Sequence, residues 1–151
     1  MLVLLVIGCF ASNSVDYDET EVYNEINFIK EAAITSNHLR EETEDIVNIY
    51  DNYKTYDEYS AEEFDERYDE LSDMLDIISD MDFDIIKDYC NRHEKDNEIS
   101  YERLMNLYNA TRRRFYYCSY VYEYMIIDDV ELNESDIHKM KMMLETCEGY
   151  S

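Results

Sequence analysis

A chain of 151 residues with no proline and only two glycines can make few tight turns. Hairpins draw on Gly, Asn and Pro for their backbone angles, so a sandwich or Greek key of many short strands is disfavoured. Helix interiors need no such residues, and the apolar positions here recur at three and four, which is helical spacing. The expected fold class is all-α: a single bundle of four to five helices after an N-terminal signal segment, occupying 15–151 as one acidic domain. An apolar share of 46% suffices for a packed core and argues against disorder.

Val22, Ile26, Ile29 and Ala33, resumed by Ile46, Ile49 and Tyr53, predict a first helix over about 19–53, capped by Asp16 or Asp18. Its polar middle, Thr35-Ser36-Asn37-His38, reads as a kink or a break. Ser60 and Glu63 fit a capping box ahead of Phe64, Tyr68, Leu71, Leu75 and Ile78. A third helix is expected over 82–93, with Ile85, Ile86, Tyr89 and Cys90 inward. The fourth, over 100–127, carries Leu104, Thr111, Phe115, Cys118 and Met125. Its end, 115–127, is β-branched and aromatic enough for a strand, but no second strand-like segment exists to pair with it. The fifth covers 135–147 through Ile137, Met140, Leu144 and Cys147.

The start of the chain bears on compartment. Residues Leu2 to Ile7 are aliphatic, and Ala11 precedes Ser12, Asn13 and Ser14. This reads as a signal peptide over 1–11, or up to 14, although no Lys or Arg precedes the apolar run. The run is about half of the roughly 20 residues that a membrane span needs. A buried first strand or turn is the plain alternative, and Val6-Ile7-Gly8-Cys9 also loosely fits a lipobox. A secreted, extracellular protein is the expectation, and the sequons at Asn109 and Asn133 agree with it as glycosylation sites.

Cleavage after Ala11 removes Cys9 and leaves Cys90, Cys118 and Cys147. Antiparallel fourth and fifth helices set Cys118 opposite Leu144, within a turn of Cys147. The expected disulfide is therefore Cys118–Cys147, with Cys90–Cys118 and Cys90–Cys147 as alternatives. The odd Cys90 is left for a Cys90-linked dimer or a buried thiol. Three ordinary buried cysteines in a reducing compartment is the competing reading.

Charge is the sharpest compositional feature. The chain has 37 acids and 13 Lys or Arg, a formal charge of −24, which repels nucleic acid and anionic lipid. Residues 15–88 hold 25 acids against five bases, and 89–151 hold 12 against eight. An acidic face of Glu62, Glu63, Asp65, Glu66, Asp69, Glu70 and Asp73 is expected to dock a cationic extracellular partner. Clustered carboxylates set partner sign and association rate more than affinity. The plain reading is a solvated face, partly neutralised within the fold by Arg112-Arg113-Arg114. Acid-flanked Tyr17 is the best sulfation candidate, ahead of Tyr56, Tyr59 and Tyr68, the last of these reading as core.

No enzymatic constellation stands out. His38, His93 and His138 are isolated, and no HExxH, CxxC or P-loop occurs. The run from Asp80 starts like a calcium loop but has Ile85 where Gly belongs and Asn91 where Glu belongs. Cys90 and His93 share a helix without a group to orient the histidine. No cofactor, metal or enzymatic activity is expected. Aromatic residues Phe115, Tyr116, Tyr117, Tyr120, Tyr122 and Tyr124, with Met140, Met142 and Met143, motivate an alternative function, the carriage of a small apolar ligand in the bundle core.

Overall fold

The computed structural model describes residues 16–55, 58–95, 100–128 and 131–147, with 58–60 in backbone only. The leader over 1–11, or to 14, lies outside the described residues, as do Cys9 and Tyr56. The described residues form α1 (Glu19–Tyr53), α2 (Glu58–Ser79), α3 (Phe83–Arg92), α4 (Tyr101–Tyr122) and α5 (Glu134–Thr146), and a π-helical turn (Glu123–Ile127) prolongs α4. Among them there is no strand. No helix among them is long and apolar enough to cross a membrane.

Helices α1 and α4 are the central pair, each packing on the other and on α2, α3 and α5. Ile29, Leu39 and Ile46 meet Phe64, Leu71 and Ile78 of α2, Ile86 of α3, Leu104 and Cys118 of α4, and Met140 and Leu144 of α5 in one buried cluster. The seven-residue steps Phe64, Leu71 and Ile78 keep one face of α2 turned inward.

α1 runs unbroken for 35 residues, so the expected break is absent. The reason lies in its buried hydroxyls. Ser36 donates to the Ala33 carbonyl at 2.7 Å and Thr43 to the Leu39 carbonyl at 2.6 Å, so both stay satisfied inside a continuous helix. Asp18 caps α1 by accepting from the Thr20 and Glu21 N–H groups. Asp82, within the run that resembled a calcium loop, caps α3 in the same way. Ser100 caps α4, and Asn133 with Asp136 forms a reciprocal capping box on α5.

Two sequence expectations need correction. α2 begins at Glu58, so Ser60 lies inside the helix and does not cap it. Ser followed three residues later by Glu marks a helix start only where the preceding chain is not already helical. The end of α4 is not regular α-helix, because the Asp128 N–H bonds to the Glu123 carbonyl five residues back. Met125, within this wider turn, is buried in the core.

The α2–α4 seam is aromatic. Tyr68 stacks on Tyr122 at 4.3 Å and on Phe115 at 5.0 Å, and Phe64 lies 5.5 Å from Tyr122. The Tyr122 hydroxyl donates to Asp65 at the edge of this stack. Tyr68 is half-buried and packs against the core. Leu71 is fully buried on the same helix that exposes Asp73. Leu71→Ala is expected to cost about 2–5 kcal/mol of stability. Asp73→Ala should stay within about 0.5 kcal/mol. Urea unfolding followed by circular dichroism measures both, and equal losses would contradict the assigned faces.

Candidate functional site

The outward face of α2 follows from its inward one. At about 100° per residue, Glu62, Glu63, Glu66, Asp69, Glu70 and Asp73 share an arc of about 120° opposite Leu71. All six are exposed. Asp76 and Asp80 are exposed too and extend the same arc. The sequence reading stopped short of these two, although their spacing carried the same signal. Asp65 departs from the group, half-buried and engaged by the Tyr122 hydroxyl. That bond, with burial, pushes the Tyr122 phenol up to about 12.

One cation enters this face. Arg67 pairs with Glu70 at 3.0 Å and reaches across to Glu42 of α1 at 3.4 Å. Glu42, Glu63, Glu66, Arg67 and Glu70 enclose a small pocket of about 180 Å³. The second carboxylate oxygen of Glu42 is buried and has no partner. Burial raises the Glu42 pKa, and the nearby Arg67 opposes that rise. Among the described residues, no group of His, Cys, Asp and Glu is arranged to hold a metal ion.

The arginine triplet does not act as one patch, because consecutive helix residues point about 100° apart. Arg114 turns inward and is 1% exposed. Its Nε donates to the Cys147 carbonyl at 3.1 Å and one terminal nitrogen donates to the Ser36 hydroxyl at 3.2 Å. The other terminal nitrogen is buried without a partner. Burial lowers the Arg114 pKa. Arg112 and Arg113 are exposed and line an open groove of about 800 Å³ between α2 and α4, beside Leu75, Tyr108, Phe115 and Tyr116. The guanidinium of Arg112 lies 5.5 Å from the centre of the Tyr108 ring.

Cys90, Cys118 and Cys147 are buried free thiols in the structure. Arg114 precedes Cys118 by one turn of α4 and reaches the Cys147 backbone, so helix counting did bring the last two cysteines into one neighbourhood, without a bond between them. Burial pushes the Cys118 thiol up to about 12 and raises Cys90 and Cys147 as well. Cys90 is 2% exposed, so a Cys90-linked dimer would require the fold to open first. His93 turns to Glu19 at 3.3 Å and packs on Tyr89, which does not make it a base for Cys90.

Tyr17 is held by the fold. Its hydroxyl donates to Asp88 at 2.9 Å, and the Arg92 guanidinium lies 5.4 Å from its ring centre. A sulfate there would replace the donor with an anion facing Asp88. Asn133 is exposed, and its side-chain oxygen caps α5 while the nitrogen that would carry a glycan makes no contact in that cap. Asn109 is exposed on α4 and lines the α2–α4 groove. Of the methionines, Met140 is buried and Met142 exposed, so they do not form a single soft face.

No family model, no curated protein and no solved structure matches this chain.

The Glu42 geometry has a pH signature. Its folded-state pKa is raised above the ordinary 4.5, chiefly by burial. A raised folded pKa gives stability that is complete below the unfolded pKa and is lost as pH rises through the folded one. Glu42→Gln is expected to raise the unfolding midpoint at pH 7 and to flatten its dependence on pH down to 4.5. Thermal melts across that range check it, and a slope equal to that of the parent protein would refute the assignment.

Proposed function

We propose that this chain is a secreted interaction module whose α2 face docks a positively charged extracellular partner. The observation that carries the reading is the arc from Glu62 to Asp73, where six exposed carboxylates face one way and Arg67 is the cation set among them. A surface of one sign accelerates encounter with the opposite sign and repels like-charged molecules. Its reach is short, because charges are screened within about 8 Å at physiological ionic strength. The apolar run at the start of the sequence and the exposed sequon at Asn133 support the secreted part of this reading.

A second reading, carriage of an apolar ligand, is favoured by one feature, the groove of about 800 Å³ between α2 and α4. This cavity opens at the surface, outside the core in which the ligand was expected.

Docking is tested with a lysine-rich peptide as the cationic probe. Reversal of Glu66, Asp69 and Asp73 to Lys is expected to slow association by tenfold or more at low salt, and raised salt should erase the difference. The control reverses Glu31, Asp128 and Glu145, exposed residues of α1, the end of the π-helical turn and α5. Both variants change net charge equally. If they slow association equally, net charge acts and the α2 face does not.

Export is tested by the mass of the protein recovered from a secreting host under non-reducing conditions. The expected species begins after Ala11, carries glycan on Asn133 and is two hydrogens lighter through a Cys118–Cys147 bridge made by the oxidising compartment. Intact Met1 with four reactive thiols after denaturation would defeat the secretory reading.

A further inference from the structure

The groove between α2 and α4 differs in chemistry from the rest of the surface. Around it the chain is strongly acidic, with a formal charge of −24. Within it, Arg112 and Arg113 stand beside Leu75, Tyr108, Phe115 and Tyr116. Tyr116 is 68% exposed, a large aromatic surface left open to solvent. Arg112 rests over the Tyr108 ring, and among the described residues no carboxylate pairs with it. A guanidinium positioned on an aromatic face keeps its donor fork available for an incoming acceptor.

We infer that this groove binds a small amphipathic anion, a flat or extended apolar body bearing a single carboxylate, sulfonate or phosphate. The inference rests on the carrier reading above and adds the ligand's charge and its anchor. The volume lies in the range of small-molecule sites, roughly 300–1,000 Å³. Aromatic rings and Leu75 would cover the apolar body, and Arg112 would take the anionic head in a charge-assisted bond. Asp76 of the lining and the acidic arc of α2 set an upper limit on ligand charge. A polyanion such as nucleic acid would meet those carboxylates at several points, whereas a monoanion held by Arg112 has a single charge to place. Asn109 is part of the same lining, so a glycan there would fill the groove and exclude the ligand.

The test uses the unglycosylated full chain and two fluorescent probes of similar shape, the anionic 8-anilinonaphthalene-1-sulfonate and the uncharged N-phenyl-1-naphthylamine. Saturable one-to-one binding of the anionic probe is expected. Arg112→Gln should weaken it about tenfold, the scale of one charge-assisted hydrogen bond, and leave the neutral probe within about threefold. Arg112→Lys should fall between, because it keeps charge and loses the fork. Tyr116→Ala should weaken both probes. Arg112 and Tyr116 are both exposed, and a cooperative melt of each variant separates lost binding from lost folding. If the neutral probe binds as tightly as the anionic one, or Arg112→Gln leaves the anionic probe unchanged, the anion inference fails and the apolar carrier reading survives. If neither probe binds saturably, both fail.

Discussion

The fold is organised around a buried guanidinium. Arg114 sits where α4, α1 and the end of α5 meet, and it has no carboxylate partner among its hydrogen bonds. Removing a charge from water is expensive unless polar groups replace the water. The α5 terminus supplies that replacement. Cys147 is the C-cap of α5, and its carbonyl belongs to the helix end whose acceptors are otherwise orphaned and whose dipole is negative. α5 has no basic residue in its own last turn, so Arg114 provides from α4 the cation that this end favours. Ser36 adds a second acceptor from α1, and one terminal nitrogen stays without a partner. One side chain thus holds three helices at a common level, and the continuity of α1 through its polar middle is part of the same solution.

Much of this architecture was legible from residue spacing. The apolar three–four pattern located all five helices to within two residues at most ends, because a buried face must repeat with the helix. One cap was legible, at Asp18, where a short polar side chain preceded the pattern; those at Asp82, Ser100 and Asn133 were not read, and Ser60 was read as a cap that it does not make. What escaped has a common cause. Thr35 and Ser36 read as a break because polar residues inside a helix usually face water, and here both are buried, Ser36 against Arg114. Arg114 read only as one of a triplet that partly neutralises the acidic face, because local composition does not reveal which of three consecutive directions points inward. The π-helical turn after Tyr122 depends on hydrogen-bond register, which composition does not encode.

The site was legible in part for the same reason. The acidic arc of α2 is complementary to its apolar face, so one pattern defines both. The groove is different. Leu75 and Arg112 lie far apart in sequence, and only the pairing of α2 with α4 places them together. Tyr17 illustrates the converse, since it read as part of a free segment and is tethered by a hydrogen bond to Asp88, 71 residues away.

The distribution of cations explains how so acidic a chain keeps both surfaces. Several of its few bases stand at seams between helices: Arg67 with Glu42 for α2 and α1, Lys141 with Asp51 for α5 and α1, and His93 at the end of α3 with Glu19. Exposed pairs of this kind contribute only about 0–1 kcal/mol each, so their effect is on register more than on stability. Of these seam bases only Arg67 also reaches the outer arc of α2, through Glu70, and the arc keeps a large excess of carboxylates. In the groove, the Arg112 guanidinium lies over the Tyr108 ring, 5.5 Å from its centre. The two surfaces share α2, and a helix with its side chains is about 10 Å across, close to the screening length. Each surface therefore lies within the electrostatic reach of the other, and the acidic arc narrows the groove's range of anions as directly as Arg112 attracts them.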